Sequence, residues 1–168
     1  MVEQTDLNQV WMIVSPQNPL KRKASLARDR DRLHMVRLAI GDNHNLKASD
    51  VEFNMPIPSY TIDTLAVLKE KYSDYQFVLL MGGDSLATLP KWKNFEKLIE
   101  ENEVYVFNRP GYDLGPLVSH SNVTILKDSP VLQISASFIR KCIKEGKSIK
   151  YLVPDAVFDY IDGSSMYK

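Results

Sequence analysis

The run Ile134-Ser135-Ala136-Ser137-Phe138-Ile139-Arg140 sets two hydroxyls and a guanidinium where a strand end is expected to feed directly into a helix. The first turn of a helix leaves backbone N–H groups free and presents the positive end of its dipole. Ser135 and Ser137 add hydroxyl donors there. Arg140, three residues after Ser137, lies on the same side of the helix and can fork onto phosphate oxygens. A plainer use of the same residues is a serine N-cap followed by a surface arginine, and the pattern alone leaves both open.

Four further groups sit at or near expected strand ends. Gly82-Gly83-Asp84-Ser85 follows an apolar strand. Two glycines allow a ligand or a second backbone to approach closely. Asp84 could accept from ribose hydroxyls or cap the next helix, and the cap is the favoured reading of the segment by itself. Pro90-Lys91-Trp92-Lys93 places an indole after a proline break, where it could stack on a flat ring or fill the core. Lys21, in Pro16-Gln17-Asn18-Pro19-Leu20-Lys21, and Arg109, in Arg109-Pro110-Gly111-Tyr112, put cations on stiff loops. Either could touch phosphate, although lone surface cations are far commoner. His34, His44 and His120 show neither metal-ligand spacing nor a carboxylate partner pattern, and are expected on the surface or in helices.

The elements that must position these groups follow from apolar spacing and turn residues. Strands are expected at residues 7–15, 46–53, 77–81, 104–107 and 123–126. A helix capped by Ser25 should run to about Ile40 and end at Gly41. Ser59 or Thr61 should cap a helix carrying Ile62, Leu65, Leu68 and Tyr72. Residues 85–89 and 92–102 read as helices on either side of Pro90. Residues 134–145 read as a strand end turning into a helix closed by Gly146. Pro154 should open a last helix to Ile161, followed by a frayed tail over 162–168. Strands and helices alternate, which predicts an α/β layered fold with a mainly parallel sheet. Ligands in such folds bind beyond the carboxyl ends of the strands, where every group above falls.

Composition narrows the class. The chain has 168 residues, 44% apolar and 25% charged, an ordinary globular balance. Lys+Arg and Asp+Glu each number 21, a formal net charge of +0 that disfavours broad nucleic-acid binding while allowing a local anion site. No apolar run is long enough to span a membrane and no secretory leader is visible, so a cytoplasmic protein without a membrane partner is expected. Cys142 is the sole cysteine, which excludes an internal disulfide and a cysteine-based zinc site.

Taken in order, these segments resemble the nicotinate-nucleotide adenylyltransferase family of the nucleotidylyltransferase superfamily. The match runs over nearly the whole chain: Ser15-Pro16 to Lys21, Ser59-Tyr60-Thr61-Ile62-Asp63-Thr64-Leu65, Gly83-Asp84-Ser85-Leu86 through Trp92, Arg109-Pro110-Gly111-Tyr112, the Ser135-to-Arg140 run, and Tyr151-Leu152-Val153-Pro154. The Ser/Arg motif alone would fit several adenylyltransferases. The Ser-Tyr-Thr and Asp84-to-Trp92 segments are more specific to the pyridine-nucleotide branch. The resemblance implies a Rossmann-like nucleotidylyltransferase fold, a mainly parallel sheet with helices on both faces, as one domain over residues 1–168. It implies that nicotinate mononucleotide and ATP give deamido-NAD and pyrophosphate, usually with Mg2+. It also implies roles. Ser135, Ser137, Arg140 and Lys21 hold ATP phosphates, with Arg140, Ser137 and Lys21 as the catalytic set. Gly83 and Asp84 bind the nucleoside of ATP. Trp92 stacks on the nicotinate ring, with Lys93 near its carboxylate. Tyr60 and Thr61 form the other wall, and Arg109 lies beside the mononucleotide. No residue is assigned to a metal, and no oligomeric state is implied.

Two departures from the family pattern stand out. Leu20 replaces the usual histidine before the loop lysine, and the His-x-Gly-His motif that follows the family's first strand is absent from these residues. In that topology the first strand lies between residues 9–15 and 77–81. The residues given are therefore expected to be marginally folded, or to complete their sheet with a further segment, and to transfer little adenylate. Two rivals follow: a non-catalytic nucleotide-binding module, and a pantetheine-phosphate adenylyltransferase, against which Trp92 and Ser59-Tyr60-Thr61 argue.

Overall fold

The computed structural model describes residues 2–17, 27–107, 113–126, 132 and 134–168. In chain order its elements are β1 (Val10–Ile13), α1 (Asp29–Ile40), β2 (Leu46–Ser49), α2 (Thr61–Lys71), β3 (Leu79–Gly82), α3 (Gly83–Thr88), α4 (Phe95–Glu100), β4 (Val104–Phe107), β5 (Val123–Leu126), α5 (Ala136–Lys144) and α6 (Asp155–Asp162), with short 3-10 turns between some of them. Strand and helix alternate as expected, every strand pairing among the described residues is parallel, and the fold is α/β of Rossmann type.

One compact unit comprises Met1–Pro58 and Leu132–Lys168. In it β1 pairs with β2, from Val10 against Leu46 to Ile13 against Ser49. Its core is Cys142, Ile149, Val157 and Ile161, with Met35 and Leu38 of α1 packed against them. The second unit is Ser59–Val131. Its sheet has the order β3-β4-β5, in register from Leu79–Val104–Val123 to Gly82–Phe107–Leu126. Leu86, Leu89, Leu98, Val104 and Val106 are fully buried there. Each such side chain contributes about 1.5–3 kcal/mol over its exposed state. Among the described residues, β1 pairs only with β2 and β3 only with β4.

Several boundaries differ from expectation, each for a local reason. The first strand is shorter, beginning at Val10. The second stops at Ser49, whose hydroxyl accepts the Val51 N–H at 3.3 Å, and a 3-10 turn over Val51–Asn54 follows. Helix α1 starts at Asp29 with Arg28 as its extended cap; Ser25 lies outside the described residues. Tyr60, not Ser59 or Thr61, occupies the cap of α2, and Thr61 is its first helical residue. Strand β3 runs two residues later than expected at its start and takes in Gly82, while Gly83 opens α3. Residues 92–94 do not join α4: Trp92 is extended and Asn94 takes a left-handed cap at φ 50. Ile134 is not part of a strand, so α5 is entered from coil. Pro154 is the cap of α6 and not its first residue.

Both ends of α5 follow the chemistry of their residues. Ser135 is extended and its hydroxyl accepts the Phe138 N–H. At the other end, Gly146 at φ 66 sends its N–H to Ile143 and Lys147 sends its own to Cys142. This is the Schellman arrangement, and its left-handed residue favours glycine. The tail is not frayed: Ser164 donates to the Ile161 carbonyl, and Met166 packs on the core of its unit.

Candidate functional site

The start of α5 is held by both of its serines. Ser135 Oγ accepts the Phe138 N–H at 3.1 Å, so the capping reading of this serine is correct. Its hydroxyl hydrogen remains available to an acceptor. Arg140 Nη2 donates to Ser137 Oγ at 3.2 Å. That bond ties the guanidinium to the first turn and leaves its other N–H groups to reach an anion. Ser137 keeps its own hydroxyl proton for donation. The result is a cation and two hydroxyls at the positive end of a helix dipole, an arrangement that attracts phosphate or carboxylate.

In the second unit, the start of α2 and the segment between α3 and α4 each contribute. The Thr64 hydroxyl donates to the Tyr60 carbonyl at 3.1 Å, fixing the cap. Lys93 Nζ lies 4.6 Å from the Tyr60 ring centre and 2.8 Å from Asp63 Oδ2. The two ion-pair side chains are 42% and 47% exposed, so the pair contributes only about 0–1 kcal/mol to stability. Its consequence is geometric: Asp63 holds the ammonium over the aromatic face. Asp63 was not among the residues singled out from sequence. Its signal was its place three residues after Tyr60, on the same side of a helix.

Trp92 follows a 3-10 turn over Leu89–Lys91 and donates its backbone N–H to the Leu89 carbonyl at 2.9 Å. Its indole is half-buried against the core of its unit and is not enclosed by it. The indole Nε1 is buried and has no hydrogen-bond partner among the described residues. A buried donor left unpaired costs about 1–3 kcal/mol, which an acceptor at that position would recover.

Asp84 is the second residue of α3, and Gly82 occupies the cap with no side-chain cap bond. Asp84 therefore does not cap this helix, and its carboxylate is exposed at the carboxyl end of β3. Lys21 and Arg109 lie outside the described residues. His34 packs edge-on against Tyr160, and His120 Nδ1 accepts the Asn122 N–H at 3.2 Å. Among the described residues no three His, Cys, Asp or Glu side chains converge on a cation position. No helix among them is long and apolar enough to cross a membrane.

Comparison with known proteins places this geometry in context. A family model described as cytidylyltransferase-like matches residues 1–142. A probable nicotinate-nucleotide adenylyltransferase of Flavobacterium johnsoniae is 47% identical over 170 aligned residues, covering 100% of this chain and 88% of that protein. The probable enzyme of the same name from Bacillus licheniformis is 32% identical over 166, covering 97% of this chain and 84% of its own. Among solved structures, the nicotinic acid mononucleotide adenylyltransferase of Plasmodium falciparum complexed with NaAD is similar at a TM-score of 0.75 and 21% identity, over 95% of this chain and 82% of that one. That likeness supports the fold.

Proposed function

The chain belongs to the cytidylyltransferase-like family and, within it, to the nicotinate-nucleotide adenylyltransferases, and from that premise we propose the roles of its residues in adenylyl transfer from ATP to nicotinate mononucleotide. In this reaction of NAD biosynthesis the mononucleotide phosphate attacks the α-phosphorus of ATP in line. A new P–O bond forms, the bond to the β-phosphate breaks, and pyrophosphate leaves. No protein nucleophile is needed, so the residues position the reactants and stabilise charge.

Arg140, Ser135 and Ser137 hold phosphate oxygens: the guanidinium neutralises the charge growing on the leaving group, and the hydroxyls donate beside it. Asp84 accepts from a ribose hydroxyl, with Gly83 allowing the nucleoside to approach its backbone. Trp92 stacks on the nicotinate ring, Lys93 lies near the ring carboxylate, and Tyr60 and Thr61 form the opposite wall. Lys21 and Arg109 complete the set as phosphate-side cations. Magnesium enters as a companion of the triphosphate. Its ligands in that role are phosphate oxygens and water, and no step is routed through the metal. We place the activity in the cytoplasm, acting on small molecules.

The observation that carries this reading is the half-buried indole of Trp92 with its unpartnered N–H, beside a lysine already held over Tyr60 by Asp63. Titration calorimetry on the purified chain tests it. Nicotinate mononucleotide should bind, and Trp92→Ala should weaken that binding by about 1–3 kcal/mol while leaving ATP binding near its original value. Phosphopantetheine should not bind. Equal losses for both nucleotides, or binding of phosphopantetheine in place of the mononucleotide, would overturn the assignment. Pyrophosphate release with both substrates present reads the transfer itself.

A further inference from the structure

Asp63 and Lys93 stand on segments of unlike stiffness. Asp63 is the third residue of α2, in the first turn, where the helix dipole favours a negative side chain. Lys93 lies between α3 and α4, with Trp92 extended before it and Asn94 left-handed at φ 50 after it. A lysine there carries its charge on a flexible four-carbon stem with no direction of its own. Two neighbours supply one. Asp63 Oδ2 accepts from the ammonium at 2.8 Å, and the Tyr60 ring centre lies 4.6 Å from the same Nζ. An ammonium has three donors. Asp63 uses one and the ring face covers a second side, so these two groups set the direction left for a ligand's acceptor. An aromatic face is a broad, weak attractor at an exposed site, whereas a carboxylate is a directional partner. The carboxylate on the helix is therefore what aims the lysine.

We propose that Asp63 is a positioning residue that makes Lys93 a reader of ring charge, separating a pyridine that carries a carboxylate from one that carries a neutral amide. This rests on the reading that Lys93 lies near the ring carboxylate. Asp63 itself touches no substrate and acts through Lys93. Its carboxylate has two opposing effects. It repels a ligand carboxylate, and it spares the ligand the entropy of ordering the lysine. The Lys93 and Asp63 side chains are 42% and 47% exposed, so water and salt screen the repulsion. The ordering of a long side chain is not screened. Positioning therefore outweighs repulsion, and substitutions at the two positions should not be additive.

The test measures binding of nicotinate mononucleotide and nicotinamide mononucleotide to the chain and to Asp63→Asn, Lys93→Met and the double variant, with thermal melting of each. The original chain should prefer the acid by about 10-fold or more, the scale of one charge-assisted hydrogen bond. Asp63→Asn should melt near the original temperature and lose most of that preference. Lys93→Met should lose it as well, and the double variant should lose nothing further. A second readout needs no ligand. The Lys93 ε-methylene NMR signal, moved upfield by the Tyr60 ring in the original chain, should return to its ordinary position in Asp63→Asn. If Lys93→Met abolishes the preference while Asp63→Asn keeps it, or if the two losses add, the role of Asp63 is wrong and the reading of Lys93 stands. If Asp63→Asn raises the preference, its carboxylate competes with the ligand and does not position the lysine, which overturns the proposal. A ring shift that survives in Asp63→Asn overturns it too, because Tyr60 then holds Lys93 unaided. If Lys93→Met keeps the preference, or the original chain has none, the reading of Lys93 fails and the inference falls with it. If Asp63→Asn unfolds the chain, Asp63 serves α2 and not Lys93, and the proposal is overturned.

Discussion

Arg140 illustrates how a residue is committed by its neighbours. Its bond to Ser137 uses one edge of the guanidinium and holds the rest over the first turn of α5. A lysine would keep the charge but offer a point donor in place of a planar fork. Arg140→Lys is therefore expected to weaken ATP binding by about 10-fold or more, the scale of a lost charge-assisted bond, with little change in melting temperature. Calorimetry with ATP and with adenosine separates the two parts of the ligand. The loss should appear with ATP and not with adenosine; an equal loss with both would remove Arg140 from phosphate binding. Ser135 shows the limit of reading single residues. The sequence offered it as cap or as phosphate ligand, and the structure gives it the cap while leaving its hydroxyl proton free.

At the scale of elements, α1 and α6 are joined by polar as well as apolar contacts. Tyr160 donates its hydroxyl to Asp31 Oδ1 at 3.0 Å, and the His34 ring packs edge-on at 4.6 Å. The hydrogen bond to Asp31, followed by burial and by the charge of the same carboxylate, raises the Tyr160 pKa above 10.0. The sign follows directly: the folded value is the higher one, so this contribution is fully present below pH 10.0 and is lost as pH rises through the folded value. Ultraviolet titration should show a late-ionising step that Tyr160→Phe removes. Retention of the step in the variant would assign it to another tyrosine. Helix pairing was invisible in the sequence, because residues 31 and 160 are far apart in the chain. By contrast β4 and β5 match their expected bounds, since each is a short apolar run closed by turn residues.

For the whole molecule, each compact unit has its own buried core, and each core has a residue that reports on it. Leu98 is fully buried in Ser59–Val131. Leu98→Ala should destabilise that unit by about 2–5 kcal/mol, read as faster hydrogen exchange in β3, β4 and β5. Unchanged exchange there would mean that the cavity collapses at no cost. Cys142, 7% exposed in the core of the other unit, is the only cysteine in the chain. A thiol reagent should label it only when that unit opens, so denaturant should accelerate labelling. Rapid labelling in native buffer would show that α5 and α6 separate readily.

By itself the sequence determined the alternation of strands and helices, the parallel pairing, the family, and the residue types able to bind anions and flat rings. These are local properties: periodicity, turn chemistry and side-chain functional groups are written in a few consecutive residues. Only the tertiary structure decided what those groups do to one another. Tyr60 and Lys93 are brought together by packing and tied by Asp63; the spacing of Asp63 from Tyr60 was local, but that Lys93 joins them was not. The segment by itself favours Asp84 as a cap and the family resemblance gives it to the nucleoside; in the structure it stands inside the first turn of α3, with Gly82 at the cap. Element ends shifted for the same reason. Where a strand or helix stops depends on which partner satisfies its last N–H and C=O groups, and those partners come from elsewhere in the fold.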